Sequence, residues 1–140
     1  MDADGKVRAW LERELGGKVT AFERQERWRA AWFATMDDGR ELYVRGHRGG
    51  NFREMITLQQ EADVNRVLYA HGVPVPRIHG MIEDPPAIVM DRLPGRVNLA
   101  TAVDDAERDT VLDQYIAAMA KMHAIDVAEF GALGLPVPED

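Results

Sequence analysis

The sequence of 140 residues contains no cysteine. Disulfide bonds, a thiol nucleophile and zinc sites built on thiolates are therefore excluded from this stretch of chain. Disulfides are typical of secreted proteins and oxidising compartments, so their absence agrees with a cytoplasmic location, which we expect for this protein.

Long apolar runs are missing as well. No stretch approaches the roughly 20 apolar residues that a membrane-spanning helix needs. The first ten residues, MDADGKVRAW, carry acids where a secretory signal would have a basic segment followed by an apolar one. We therefore expect neither a signal peptide nor a membrane partner.

Positive charge is scarce, with 17 Lys and Arg against 24 Asp and Glu and a net charge of −7. The exception is residues 24–53, which carry seven Arg and four acids. Such a segment is typical of a solvated face, but it could also bind an anion such as a phosphate. Nucleic acid is not expected as a partner, because the chain is acidic overall and has no recognised base-reading motif.

The first part of the chain has the pattern of one helix followed by strands. Residues 4–15 have helical apolar spacing, with Asp4 as a plausible N-cap and Gly16 at the stop. Three alternating, aromatic-rich runs follow, at residues 18–24, 27–36 and 40–46. Asp38-Gly39 favours a tight hairpin turn between the last two, so the pattern predicts three antiparallel strands in a row.

The period then changes. Residues 57–72 have mostly helical spacing, and Thr57 and Gln60 have the spacing of a capping box. Two more apolar runs, at residues 77–83 and 87–93, predict two further strands. The sequence therefore predicts an α+β fold, a five-stranded antiparallel sheet with one central helix.

Beyond Gly95 the pattern is helical. Asp104 and Glu107 have capping-box spacing ahead of an apolar stripe about three turns long. The stripe consists of Val111, Leu112, Tyr115, Ile116, Met119 and Met122. Such a helix needs a partner surface, so we expect the chain to be cut off inside a larger protein and the fragment to self-associate through this helix.

Four segments carry a resemblance to a known family. They are YVRG (43–46), EADVNRVLYAHGVPVPRIHG (61–80), IVMDRLPG (88–95) and AAMAKMHAID (117–126). Their order resembles that of the aminoglycoside phosphotransferase-like superfamily of small-molecule kinases, whose fold is protein-kinase-like.

The resemblance spans roughly residues 17 to 130 and implies a division of the chain. Residues 1–16 form an N-terminal helix, and residues 17–93 form the nucleotide-binding small lobe. Residues 94–140 form the exit from the hinge and the truncated start of the helical large lobe.

The segment IVMDRLPG resembles the hinge between the two lobes. The resemblance implies that the carbonyl of Asp91 accepts a hydrogen bond from the adenine amino group and that the amide of Leu93 donates to a ring nitrogen. Met90 would lie at the back of the pocket, and the side chains of Asp91 and Arg92 would be free to point to solvent. The alternative is a plain strand end.

For the phosphates, the resemblance implies a role for Arg45, oriented by Glu61. Many kinases have Lys at this place, but a guanidinium fork suits both a carboxylate and a phosphate oxygen. The alternative is a surface Arg and an unrelated helix Glu.

The turn between the first two strands, residues 23–29, contains no glycine. A backbone cradle for phosphates, as in Gly-rich loops, is therefore not expected. Arg24 and Arg27 could supply side-chain contacts instead, although Trp28 and Trp32 in this region could serve only to cover the sheet.

The family's catalytic loop, a His-Gly-Asp segment with Asn five residues after the Asp, does not occur in these 140 residues. The resemblance thus implies ATP and Mg²⁺ as cofactors, with the metal ligands and catalytic residues in the missing C-terminal lobe. The function it implies is ATP-dependent transfer of a phosphoryl group to a hydroxyl of a small molecule. The alternative is a non-catalytic nucleotide-binding or protein-interaction module.

Overall fold

A computed structural model of the chain describes residues 1–25, 28–48 and 55–137, the side chain of Arg48 excepted. Its helices are α1 (Ala3–Leu15), α2 (Leu58–Ala70) and α3 (Asp105–His123), with short 3-10 helices at Leu99–Thr101 and Val127–Leu133. Its strands are β1 (Val19–Arg24), β2 (Arg29–Met36), β3 (Glu41–Arg48), β4 (Ile78–Glu83) and β5 (Pro86–Asp91).

The five strands form one antiparallel sheet in the order β1-β2-β3-β5-β4. The β2–β3 hairpin turns at Asp38-Gly39, where Gly39 has a φ of +85° that favours glycine. A cis peptide joins Asp84 to Pro85 between β4 and β5. The predicted α+β fold and its antiparallel sheet are confirmed, and β5 lies inside the sheet between β3 and β4.

Helix α1 covers one face of the sheet. Val7 and Leu11 are fully buried there against Trp32, the largest fully buried side chain of the described residues. Trp10 approaches Gly80 so closely that a Cβ at that glycine would lie 2.7 Å from the indole ring. This packing makes α1 part of the same core as the sheet. We call the side of the sheet that packs against α1 the α1 face.

The predicted N-cap of α1 is wrong. Asp2 caps the helix, because its Oδ1 accepts from the Gly5 amide at 2.8 Å. Asp4 lies in the first turn, and its Oδ1 accepts from the indole Nε1–H of Trp32 at 2.7 Å. A buried indole donor needs an acceptor, and this long-range partner is not visible in the local pattern that indicates caps.

Glu12 and Arg40 link α1 to the strands. Hydrogen bonds from the Lys18 ammonium and the Val19 amide hold the pKa of Glu12 below its usual value. The amide of Arg40, and then its guanidinium, likewise lower the pKa of Asp38. The same guanidinium donates to the carbonyl of Leu15 at 3.0 Å, so the β2–β3 turn caps the C-terminal end of α1.

Helix α2 lies on the opposite face, which we call the α2 face. Its first turn has the predicted capping box, with the Thr57 hydroxyl accepting from the Gln60 amide and the Gln60 side chain accepting from the Thr57 amide. Leu58 and Ala62 are its buried residues, and they cluster with Ile88 and Met90 of β5. α2 is therefore held on the sheet by apolar contacts, and its buried side chains lie in its N-terminal half.

Helix α3 has no buried residue. Asp104 caps it by accepting from the Glu107 amide at 2.8 Å. Its apolar stripe is exposed, with Tyr115 and Ile116 each at 63% relative accessibility. Among the described helices, none is both long and apolar enough to cross a membrane.

Candidate functional site

Side chains on the α2 face form two rows that run across the strands. Residues directly opposite each other in an antiparallel sheet share a face, as do residues two apart along a strand. The first row consists of Phe33, Tyr43, Met90 and Ile78. The second row consists of Ala31, Arg45, Ile88 and Met81. Arg45 provides a cation in the second row, and it lies one row away from Met90.

Arg45 forms an ion pair with Glu61, through its Nη2 atom and Oε1 of the carboxylate. The two side chains are only 17% and 32% exposed. The structure therefore brings together the pair that the sequence predicted, with β3 presenting the cation and the first turn of α2 presenting the acid.

The same Nη2 atom is buried against this carboxylate. A guanidinium has five N–H donors in a planar fork, so the ion pair leaves donors on the other two nitrogens. With these donors, Arg45 has the chemistry to bind a second oxyanion beside Glu61.

At the segment that the sequence predicted as the hinge, β5 separates from its neighbours within three residues. The Asp91 amide donates to the Arg77 carbonyl and the Arg92 amide to the Glu41 carbonyl, each at 3.0 Å. In the described part of the chain, the next amide, that of Leu93, has no acceptor, and the Arg77 amide makes no return bond to Asp91. The residue predicted as the backbone donor for a base therefore has an unpaired amide, and the Leu93 side chain is 56% exposed.

The prediction that the Asp91 side chain points freely to solvent is wrong, whereas Arg92 is exposed. Asp91 Oδ1 lies 2.6 Å from Nε2 of His79, whose side chain is 12% exposed. The guanidinium carbon of Arg92 lies 3.8 Å from the centre of the Phe33 ring, although the residue remains exposed. An irregularity in β4 between residues 78 and 80 carries His79 toward Asp91, and no residue pattern indicated it.

Phe33 and Tyr43 add an aromatic surface that the sequence reasoning missed. Their ring centres are 5.4 Å apart with an interplanar angle of 52°, and both side chains are half-buried. The turn at Asp38-Gly39 sets the register that places them opposite each other, so the hairpin pattern contained the signal.

Arg24 lies elsewhere. It is opposite Trp32 in the β1–β2 pair, on the α1 face, where it lies 3.6 Å from Asp4 and 5.7 Å from the centre of the Trp32 ring. Strand alternation therefore places Arg24 and Arg45 on opposite faces of the sheet, so Arg24 is not part of the candidate site. Arg27 lies outside the described residues.

The two tryptophans of this region differ in exposure. Trp32 is fully buried in the sheet, as the alternative interpretation expected, whereas Trp28 is 65% exposed with the Arg29 guanidinium 4.3 Å from its ring centre. Only the first of them therefore covers the sheet.

Metal ligands do not cluster in the part of the chain that the structure describes. No group of three His, Cys, Asp or Glu side chains there is placed to hold an ion. The candidate site consists of the Arg45–Glu61 ion pair, the backbone amide of Leu93 and the rings of Phe33 and Tyr43.

Comparison with known proteins identifies the family. Residues 18–138 match the model of the phosphotransferase enzyme family. The chain belongs to this phosphotransferase family. The sequence-based resemblance is thus confirmed, and the family match covers the sheet, α2, the hinge segment and α3.

Among solved structures, the chain is similar to a protein from Thermobifida fusca YX-ER1 that is assigned as a fructosamine-3-kinase. The identity is 18%, the TM-score is 0.45, and the match covers 66% of this chain and 32% of that one. The chain thus spans about a third of the length of that structure. Among curated proteins, none has a sequence that matches this chain significantly.

Proposed function

We propose that this chain is the nucleotide-binding portion of an ATP-dependent phosphotransferase that phosphorylates a hydroxyl of a small molecule. The observation that carries the proposal is the half-buried ion pair of Arg45 and Glu61, which lies on the same sheet face as the residue that precedes the hinge. Family membership supports phosphoryl transfer, and the pair supports a phosphate-binding role for this part of the protein.

Arg45 would bind the phosphates. Its side chain is fixed at one end by Glu61, so little conformational entropy is lost when a second oxyanion binds. The partial burial of both groups limits competition from water and strengthens charge-assisted hydrogen bonds. Glu61 would act as the group that orients the fork rather than as a ligand of the nucleotide.

The base would lie at the hinge. The Leu93 amide would donate to a ring nitrogen, the Asp91 carbonyl would accept from the amino group, and Met90 would close the back of the pocket. Tyr43 lies directly opposite Met90 and two residues from Arg45 on β3, about 7 Å along the strand. The Tyr43 ring, which packs against Phe33, offers an apolar surface for the flat face of a base.

Bound ATP supplies the phosphoryl group for transfer to the acceptor hydroxyl, and Mg²⁺ screens the charge of the phosphates. The residues described here bind and orient the nucleotide and neutralise part of its charge. We also propose, as the sequence resemblance implies, that the general base and the metal ligands lie in a C-terminal lobe.

The proposed hydrogen bond from the Leu93 amide to the base can be tested by substitution. Leu93→Pro removes the amide donor, whereas the control Leu93→Ala keeps it and removes most of the side chain. We expect the proline variant to bind ATP at least about fivefold more weakly than the alanine variant, the equivalent of one lost hydrogen bond. Isothermal titration calorimetry of the intact protein measures both affinities.

Asp91→Asn is the second control, because the amide oxygen can still face His79 while the carbonyl of the main chain is unchanged. We expect ATP affinity close to that of the wild type. If Leu93→Pro and Leu93→Ala bind ATP equally well, the base is not read by this amide and the hinge assignment fails.

Self-association through α3 is a separate part of the proposal. The exposed stripe includes Tyr115 at 63% and Leu112 at 40%, and burying it stabilises by about 25 cal/mol per Å² of apolar surface. We expect the 140-residue chain to form dimers or larger species, and Tyr115→Glu to return it to monomer.

The matched control is Thr110→Glu, which adds the same charge on the opposite side of the helix. Light scattering coupled to size exclusion at several concentrations distinguishes the variants. A wild-type chain that stays monomeric at high concentration with α3 helical by circular dichroism contradicts this part of the proposal.

A further inference from the structure

The segment that follows α3 runs back along α2. Residues 125–134, which we call the strap, include the 3-10 helix Val127–Leu133 and begin at the buried side chain of Ile125. Glu129 of the strap contacts the C-terminal end of α2, and Gly134 contacts its N-terminal turn. The strap is therefore antiparallel to α2 and reaches both ends of it.

At the N-terminal end, one side chain joins the strap to the helix cap. Oε1 of Gln60 accepts from the Thr57 amide at 2.9 Å, and its Nε2 donates to the Gly134 carbonyl at 2.6 Å. The next residue is Glu61, the acid that pairs with Arg45. The strap thus contacts the turn of α2 from which the ion pair projects.

At the C-terminal end, His71 Nε2 lies 2.8 Å from Oε2 of Glu129. Nearby, the Lys121 ammonium donates to the Gly72 carbonyl at 3.3 Å. The His71 and Glu129 side chains are 37% and 45% exposed, so this pair contributes little stability by itself. Together with the Gln60 contact, however, it fixes the helix at two separated points.

These contacts add to the ones that α2 makes with the sheet. The buried side chains of the helix are Leu58 and Ala62, and both lie in its N-terminal half. Contacts with the strap at both ends therefore help to define the position of α2.

We propose that the strap is a positioning device for nucleotide binding, in which the Gln60–Gly134 contact holds the first turn of α2 so that Glu61 keeps the Arg45 fork directed at the phosphates. The inference rests on the proposed function and deepens it. Gln60 and the strap touch neither nucleotide nor acceptor, and they act through Glu61.

Gln60→Glu tests the contact with a change of a single group. A glutamate at this position keeps the capping-box acceptor and favours the positive end of the helix dipole. It loses the N–H donor and faces the Gly134 carbonyl with a second oxygen. The variant therefore separates the strap contact from helix stability.

We expect Gln60→Glu to weaken ATP binding about three- to tenfold without lowering the midpoint of thermal unfolding. Gln59→Glu is the control, since it adds the same charge one residue away, where the side chain bonds only Asp63 among the described residues. That variant should bind ATP within about twofold of the wild type, the range of an exposed substitution.

The decisive readout is the dependence on Glu61. In a Glu61→Ala background, Gln60→Glu should change ATP affinity by less than about twofold, because residues that act through one another are not additive. An equal loss in both backgrounds, or no loss in the wild-type background, overturns the inference.

Glu129→Ala is the second variant, and it removes the strap contact at the C-terminal end of α2. It tests the strap inference if Gln60→Glu fails to fold. It should also weaken ATP binding, and wild-type affinity would contradict the proposal.

The Arg45→Ala variant separates a failure of the strap inference from a failure of the proposed function. If Arg45→Ala weakens ATP binding and the strap variants do not, only the strap inference is lost. If Arg45→Ala is also neutral, the proposed function is lost with it.

Discussion

Replacing Arg45 with Ala is expected to weaken ATP binding about ten- to a hundredfold, the cost of one or two charge-assisted hydrogen bonds in a partly buried site. The loss has two physical sources. The phosphates lose a cation that is fixed before binding, and Glu61 is left as a half-buried carboxylate that repels them. Calorimetry with ATP on the intact protein, and kcat/KM for ATP where turnover is measurable, both report the change.

The accompanying variants show whether Arg45 and Glu61 act as one unit. Arg45→Lys should recover only part of the affinity, because an ammonium cannot bind two oxyanions with a planar fork. Glu61→Ala should weaken binding less than Arg45→Ala, and combining the two should add little. Additive losses, or an Arg45→Ala variant within about twofold of the wild type, would show that Arg45 is a surface residue with no phosphate role.

Replacing Trp32 with Ala is expected to lower the free energy of unfolding by about 3–5 kcal/mol, because it empties a large volume in a fully buried place. The substitution also removes the donor to Asp4, and with it a polar link between α1 and the sheet. Chemical denaturation followed by circular dichroism measures the effect.

Trp32→Phe is the matched control, since it keeps an aromatic ring in the core and loses the indole N–H. We expect it to cost less than half as much as Trp32→Ala. A loss of under about 1 kcal/mol for Trp32→Ala would contradict the packing described here, because truncating a buried Trp to Ala typically costs about 3–5 kcal/mol.

Much of the fold could be predicted because its signals are local. The turn at Asp38-Gly39, the capping box of Thr57 and Gln60, and the alternation along β2 and β3 each depend on residues close in sequence. The position of Glu61 in the first turn of α2 followed from the same pattern together with the family resemblance. The structure then showed that it meets Arg45 on the α2 face.

The parts that could not be predicted depend on contacts between distant residues. Asp4 accepts a hydrogen bond from Trp32, 28 positions away, and His79 contacts Asp91 next to a strand irregularity. The basic character of Arg24 and its position near the first turn favour a phosphate role, although strand alternation places it on the α1 face. Gln60 has an obvious local role in the cap, which conceals its long-range bond to Gly134.

The most direct test of the nucleotide site is an amide-resolved NMR titration of the protein with ATP. We expect the amide signals of Leu93, Arg45 and Glu61 to shift together with a single affinity, while those around Asp4 and Arg24 on the α1 face stay unchanged. Saturable shifts confined to the α1 face, or no saturable shift at Leu93 and Arg45, would contradict the proposal that this face of the sheet and the hinge bind ATP.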